Sequence, residues 1–590
     1  MDLFICSLGE PTALLTLGIL VLTVVLAVVS ARAEGRGRVV FRLCCALPVV
    51  GCLIHAAFLA PLGHTGMLTA IGIGAEVYKV YVPRAILLFE GLYLGALLVL
   101  LMMLTAGRGW WRRVLAVGVC LGVAACGTKQ VLEDINCYDR HNMTHLGWTD
   151  AFAATVETMR EGYILREWKE TDFDALLAEH LPAVEAAEAA GDEAAYGAAL
   201  LAYAYDFYDG HVSLIVPHGK SGPIRERLAG NDYGLSLFTL DDGQTIAVCV
   251  EEDTPAYRAG LRNGTVIETW DGIPVAEAAA AVSCVYPGYG MYFPVKENEA
   301  RYQAIFLAGK GGETVTVGYL DEDGAAQTAV LEAAGSYRMR LGGALSCFAH
   351  DWIEDDNFST RMLSDTCGYL RLEAEDDGTI TQYLAYLHDG MYPQLTDRVS
   401  DQLTDLAAQG MRSLVIDLRG NEGGLNAIGA AVSALFSDEA RFQFAEGERV
   451  DGGYEITHTY HIAADGRWKD LPVAVLVDQG CCSAGDGAAL FLSQCENVTL
   501  MGLTPSNGVN QNNGGECYLP CGYRIVYPVR LSLGEDAKPL IDTDASRETR
   551  LPLDVQIPVD KAAALRIFGE DETDDYALAY AVQYLMDKEG

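Results

Sequence analysis

Two short strand-to-helix turns constrain this chain more than any other feature in it. Ser413–Leu418, with Leu414-Val415-Ile416 at its centre, has buried-strand character. It leads into Asp417-Leu418-Arg419-Gly420-Asn421-Glu422-Gly423-Gly424, and helical spacing follows over Leu425–Phe436. About 60 residues later Pro472–Val477 repeats the pattern. It leads through Asp478-Gln479-Gly480-Cys481-Cys482-Ser483-Ala484-Gly485-Asp486 into a helix over Ala484–Ser493. Gly368–Leu372 and Val498–Met501 read as further strands, and Tyr392–Gln409 as an amphipathic helix. Alternating strands and helices predict a mainly parallel sheet with helices packed against it, an α/β core over residues 346–562. A nucleophile at such a turn stands at the carboxyl edge of the sheet. The amides at the start of its helix then face any negative charge that develops beside it.

The apolar residues are unevenly spread. Leu14–Ser30, Val39–Pro61, Ile86–Thr105 and Val114–Cys126 are long apolar runs, and residues 1–133 are expected to form a four-helix transmembrane anchor. Arg32, Arg36 and Arg38 in one loop, and Arg108, Arg112 and Arg113 in another, orient those loops to the cytoplasm. Everything after residue 133 then lies outside, which predicts a multi-pass cell-membrane protein in contact with the lipid bilayer. Residues 1–136 carry ten Lys/Arg against seven Asp/Glu, and the remainder carries 31 against 73. A surface that acidic repels nucleic acid, so DNA and RNA are excluded as partners. Ten of the sixteen cysteines follow residue 136, and Cys517 and Cys521 flank a loop short enough for pairing.

Between anchor and core lie two further blocks. Residues 140–225 read as a small helical bundle, with Pro182 opening a new helix, that leads into Asp209-Gly210-His211 and a strand. Residues 230–335 carry Gly234-Leu235-Ser236-Leu237, a turn at Asp241-Asp242-Gly243, then Thr254-Pro255-Ala256, Ala259-Gly260-Leu261, Gly264 and Asp271-Gly272. This block resembles a PDZ domain. That resemblance implies a peptide site at Gly234, Leu235 and Ser236, with an extended peptide added to the neighbouring strand. Residues 563–590 form a C-terminal helical tail.

Asp-Leu-Arg-x-Asn-x-Gly-Gly, followed by Ser-Ala-Gly-acid, resembles the catalytic core of the tail-specific (C-terminal-processing) serine proteases. The branch containing the tricorn core protease and the interphotoreceptor retinoid-binding protein is the nearer in pattern. The resemblance covers about residues 146–560. It implies Ser483 as nucleophile and His211 as general base. The lysine that another branch places about 25 residues after the serine is missing from Gly502–Asn510, and no motif supports Lys538. Gly210 stands where the branch has an orienting serine. Glu548, with Asp544 and Asp542 as rivals, is the candidate acid. Ala484 and either Gly423 or Gly424 would supply the oxyanion amides, and Asp486 would cap its own helix. His141 and His145 lack a third ligand, and the chemistry requires no metal or cofactor.

The expected function is an extracytoplasmic serine endopeptidase acting on unfolded or C-terminal segments of exported or membrane proteins. The alternative is a catalytically inactive peptide-binding protein on the same fold, favoured by Gly210 and by Cys481-Cys482 beside the serine. A membrane sensor or transporter is disfavoured, because the apolar runs lack polar stripes.

Overall fold

A computed structural model describes residues 139–287, 299–348, 358–374, 393–508, 510–541, 551–569, 571 and 574–589. Residues 140–590 form one compact unit. Its centre is a six-stranded sheet in the order Val555–Gln556, Val498–Gly502, Val473–Leu476, Ser413–Asp417, Cys367–Leu372, Phe358–Met362. Neighbours pair parallel except at the Phe358–Met362 edge. Every residue of Ser413–Asp417 is buried, as expected for a parallel strand covered on both faces.

The period-2 geometry of a strand divides its side chains between those two faces. Leu414, Ile416, Val473 and Val475 pack with Leu395, Val399, Leu403, Ile428, Val432 and Leu492 from the helices Pro393–Ala408, Asn426–Ala434 and Ala484–Ser493. Val415, Ala474, Leu476 and Met501 pack on the other side with Ala577, Ala581 and Leu585. Those three belong to the C-terminal helix Tyr576–Glu589. The segment read as a helical tail therefore closes the second face of the core sheet.

The helical block consists of Trp148–Gly162, Phe173–Ala190 and Glu193–Tyr205. Pro182 lies inside the second helix and does not open a new one. The break comes later, at Gly191, whose φ of 63° ends the helix in the left-handed conformation. The Asp192 carboxylate then accepts from the Ala195 amide and starts the next helix. Residues 236–332 form an antiparallel sheet in the order Ser236–Thr239, Thr245–Val248, Val266–Trp270, Thr314–Leu320, Ala326–Glu332. The short helix Pro255–Arg258 is capped by Thr254.

One element and one pairing were not legible in the sequence. Arg441–Val450 and Gly453–Ile462 make a long antiparallel ribbon. Ser213–Ile215, immediately after His211, pairs antiparallel with Arg524–Arg530, Leu214 lying opposite Ile525. This joins the Asp-Gly-His segment to the far end of the chain.

Two expectations are corrected. The four-helix anchor is no part of the observed fold: among the described residues no helix is long and apolar enough to cross a membrane, and residues 1–133 lie outside the described residues. The architecture is a core of mixed sheets and packed helices. Cys517 and Cys521 do not form a disulfide with each other. Cys517, on the strand Asn512–Tyr518, is buried among side chains of the helical block and of the neighbouring strand Arg524–Arg530, where it packs as a small apolar side chain.

Candidate active site

Ser483 stands at the N-cap of Ala484–Ser493 with φ 57° and ψ −123°. A non-glycine residue holds positive φ only where its surroundings impose it. Several bonds do so here. The Cys482 amide donates to Asn421 O at 2.9 Å, the Gly485 amide to Cys482 O at 2.9 Å, and Asn510 Nδ2 to Ser483 O at 2.8 Å. Asp478 Oδ1 accepts from Gly420 and Gly480, at 2.8 and 2.9 Å, and so ties the two turns together. The Asp486 carboxylate accepts from the Gly508 amide at 3.1 Å, holding the following loop against the nucleophile's helix.

The Ser483 hydroxyl is half-buried and faces His211, with Oγ 3.1 Å from Nε2. The two residues are 272 positions apart in sequence, and the pairing of Ser213–Ile215 with Arg524–Arg530 holds the histidine there. His211 is 2% exposed. Burial lowers its pKa below the usual imidazole value of 6.5, and the negative charge of Asp209 partly offsets this. The ring is therefore neutral near pH 7, as a proton acceptor must be. Its Nδ1 is buried and has no hydrogen-bond partner among the described residues.

Gly423 and Gly424 have φ of 91° and 145°. A Cβ at Gly423 would fall 2.7 Å from Ala484 N, Cys482 O and Ser483 Cβ. Glycine at this position lets the Asp-Leu-Arg turn lie directly against the nucleophile. The Gly423 amide donates to Asn421 Oδ1 at 2.8 Å, so it already serves the turn. Ala484 is the first residue of the nucleophile's helix and Gly424 ends the facing turn. Below this turn lies a buried charge cluster. Asp417 accepts from Arg419 Nε at 2.9 Å and from Tyr369 Oη at 3.0 Å. Arg419 also donates twice to Asp575, at 2.9 and 2.7 Å. Asp575 in turn accepts from the Leu578 amide at the start of the C-terminal helix.

The structure thus brings together Ser483, His211, Ala484 and the Gly423-Gly424 turn. Glu548, Asp542 and Asp544 lie outside the described residues. Lys538 is half-buried and pairs with Asp536 at 3.7 Å. Gly234, Leu235 and Ser236 lie together at the start of one strand. The Gly234 amide donates to Asp232 Oδ1 at 2.8 Å, Leu235 is buried, and Ser236 Oγ is 2.6 Å from Tyr337 Oη. His141 belongs to a strand and His145 to a turn, so the two do not share a helix face. Asn421, Asp478, Asn510 and Asp575 escaped the sequence reading as supports of the site. Asn421 and Asp478 lie within the quoted turns, whereas Asp575 has no local signal.

Residues 366–533 match the model of peptidase family S41. Over 106 residues the chain is 32% identical to the carboxy-terminal processing protease CtpA of Bacillus subtilis, a match covering 18% of this chain and 22% of that protein. Over 140 residues it is 29% identical to the chloroplastic C-terminal processing peptidase of Tetradesmus obliquus, covering 23% of this chain and 29% of that protein. The chain thus spans about a quarter of the length of these curated relatives. Among solved structures, mature CPAF superposes with a TM-score of 0.47 at 13% identity, over 75% of this chain and 98% of that one.

Proposed function

We propose, from a core that carries the S41 peptidase domain, that this chain is a serine endopeptidase. The observation that carries the reading is the contact of Ser483 Oγ with the buried, neutral His211 Nε2 at a strained helix N-terminus. Ser483 Oγ attacks the scissile carbonyl carbon while its proton passes to His211 Nε2. The resulting oxyanion receives the amides of Ala484 and Gly424. Collapse breaks the C–N bond, and His211 returns the proton to the leaving amine. Water then attacks the acyl ester, gives its proton to His211, and frees the new carboxyl group and Ser483.

Substrates in this reading are unfolded or C-terminal segments of proteins. The net charge of −39 favours polypeptide over nucleic acid. The 230–335 block serves as a PDZ-like acceptor for an extended peptide. Ser236–Thr239 is the end strand of its sheet, which supports strand addition along that edge. A peptide carboxylate at Gly234 would replace Asp232 on that amide.

The test is cleavage of casein and of unfolded peptides by the full chain, with Ser483→Ala and His211→Ala alongside. Activity in the wild type and its loss in both variants is expected. Activity surviving Ser483→Ala overturns the reading. Binding without cleavage, with Ser483 resistant to a fluorophosphonate, selects the inactive peptide-binding alternative.

A further inference from the structure

We propose that Asp209 is the acidic positioning residue of the His211 base, acting through the main chain and through its charge. This rests on the Ser483–His211 reading above. Asp209 is completely buried. Its Oδ1 accepts from the His211 amide at 2.9 Å, and its carbonyl accepts from the Val212 amide at 2.9 Å. These two bonds fix the backbone on both sides of the imidazole. Oδ2 accepts from Tyr163 Oη at 2.8 Å. Tyr163 is itself completely buried and packed edge-on against Phe207.

The charge makes this more than a turn. A carboxylate removed from water needs compensation from a cation or several donors. Among the described residues no cation pairs with Asp209, which holds its charge on one hydroxyl and one amide. The group nearest in sequence that can become cationic is His211 itself, when it takes the Ser483 proton. A fixed negative charge beside that imidazole favours the imidazolium form as it develops, without reorganisation during the reaction. The titratable groups bonded to this segment are Tyr163 from the first helix, Ser483 across the site, and Lys169, whose Nζ donates to Tyr208 O at 2.8 Å. None of these is a carboxylate, so Asp209 is the one acid in the set.

The experiment is an NMR titration of the full chain labelled at histidine, with the His211 resonance assigned by its loss in His211→Asn. This readout does not depend on proteolysis. Asp209→Asn keeps an acceptor for the His211 amide and removes the charge, so the His211 pKa is expected to fall. An unchanged pKa in a folded Asp209→Asn overturns the proposal. Tyr163→Phe leaves the charge and removes its hydroxyl donor, so the His211 pKa is expected to rise. If Asp209→Asn does not fold, an unmoved pKa in Tyr163→Phe overturns the proposal instead.

In the cleavage assay Asp209→Asn should lower kcat at least about tenfold, a part of the roughly 100- to 10,000-fold that general acid–base catalysis contributes. KM should change little, and the acidic limb of kcat/KM should move to lower pH. Wild-type kcat with an unmoved limb also overturns the proposal. Residual activity in Ser483→Ala would instead remove the reading on which it rests.

Discussion

Replacing Asp575 with alanine should loosen the turn that faces the nucleophile, although Asp575 lies outside every motif. The Arg419 guanidinium is 6% exposed and the Asp575 carboxylate 15%, and two bonds of 2.9 and 2.7 Å join them. Removing one partner of a buried pair costs roughly 3–5 kcal/mol, because the remaining charge stays buried. Asp417 still faces Arg419 at 2.6 Å, which puts the loss near the low end, about 3 kcal/mol. The alanine variant also loses the acceptor for the Leu578 amide, worth about 1 kcal/mol as a cap. Asp575→Asn should retain that part and lose only the charge. The assay is amide hydrogen exchange of peptides from Tyr576–Glu589, the helix this contact holds on the sheet. For Asp575→Asn a loss of about 3 kcal/mol corresponds to roughly 100-fold faster exchange, and for Asp575→Ala the combined loss of about 4 kcal/mol approaches about 1000-fold. Exchange in Asp575→Ala within about threefold of wild type would refute the reasoning, because the cluster would then carry little of the attachment.

Two further outcomes follow from the same geometry. Gly423→Ala puts a Cβ 2.7 Å from Ala484 N and Ser483 Cβ at a φ of 91°, and should lower kcat about 100-fold or more, the scale of a lost oxyanion donor, as steady-state kinetics would read. Because burial depresses the His211 pKa, the acidic limb of kcat/KM should lie below pH 6.5, the ordinary imidazole value. The same shift acts on stability. Below about pH 6.5 the unfolded chain takes up a proton at this position before the folded chain does. The contribution is therefore complete above the unfolded pKa and is lost as pH falls through the folded one. Denaturant unfolding at several pH values checks this, and stability that rises on acidification across the window would contradict it.

The core was legible because its signals are local. Ser413–Asp417 and Val473–Leu476 read as buried parallel strands from the apolar stretches Leu414–Ile416 and Val473–Val477, and the glycines after them marked the turns. His211 was found through its Asp-Gly-His setting, yet nothing local shows how it reaches Ser483. That depends on Leu214 pairing with Ile525, a register set by tertiary packing. The Arg441–Ile462 ribbon stayed hidden because its charges and bulges blur the period-2 pattern. Pro182 misled because a helix can keep a proline when its outer face is free and the stronger break, Gly191, comes later. Asp575 was invisible because its partner lies 156 residues away.

The supports of Ser483 have a common physical logic. Positive φ at a serine is unfavourable by about 1–3 kcal/mol, so the turn persists only if the surroundings fix it more strongly than that. Each neighbouring loop contributes one anchored contact: Asn421 through its carbonyl, Asn510 through its side-chain amide, and Asp478 through two glycine amides. These groups are buried, so a polar atom left without its partner there is costly. The contacts therefore hold together or fail together, and a single cut in this network should depress turnover more than global stability. The outer link in the chain is Asp575, which couples the C-terminal helix through Arg419 and Asp417 to the turn beside Ser483. The alignment of the nucleophile thus depends on the last helix of the chain being docked on the sheet.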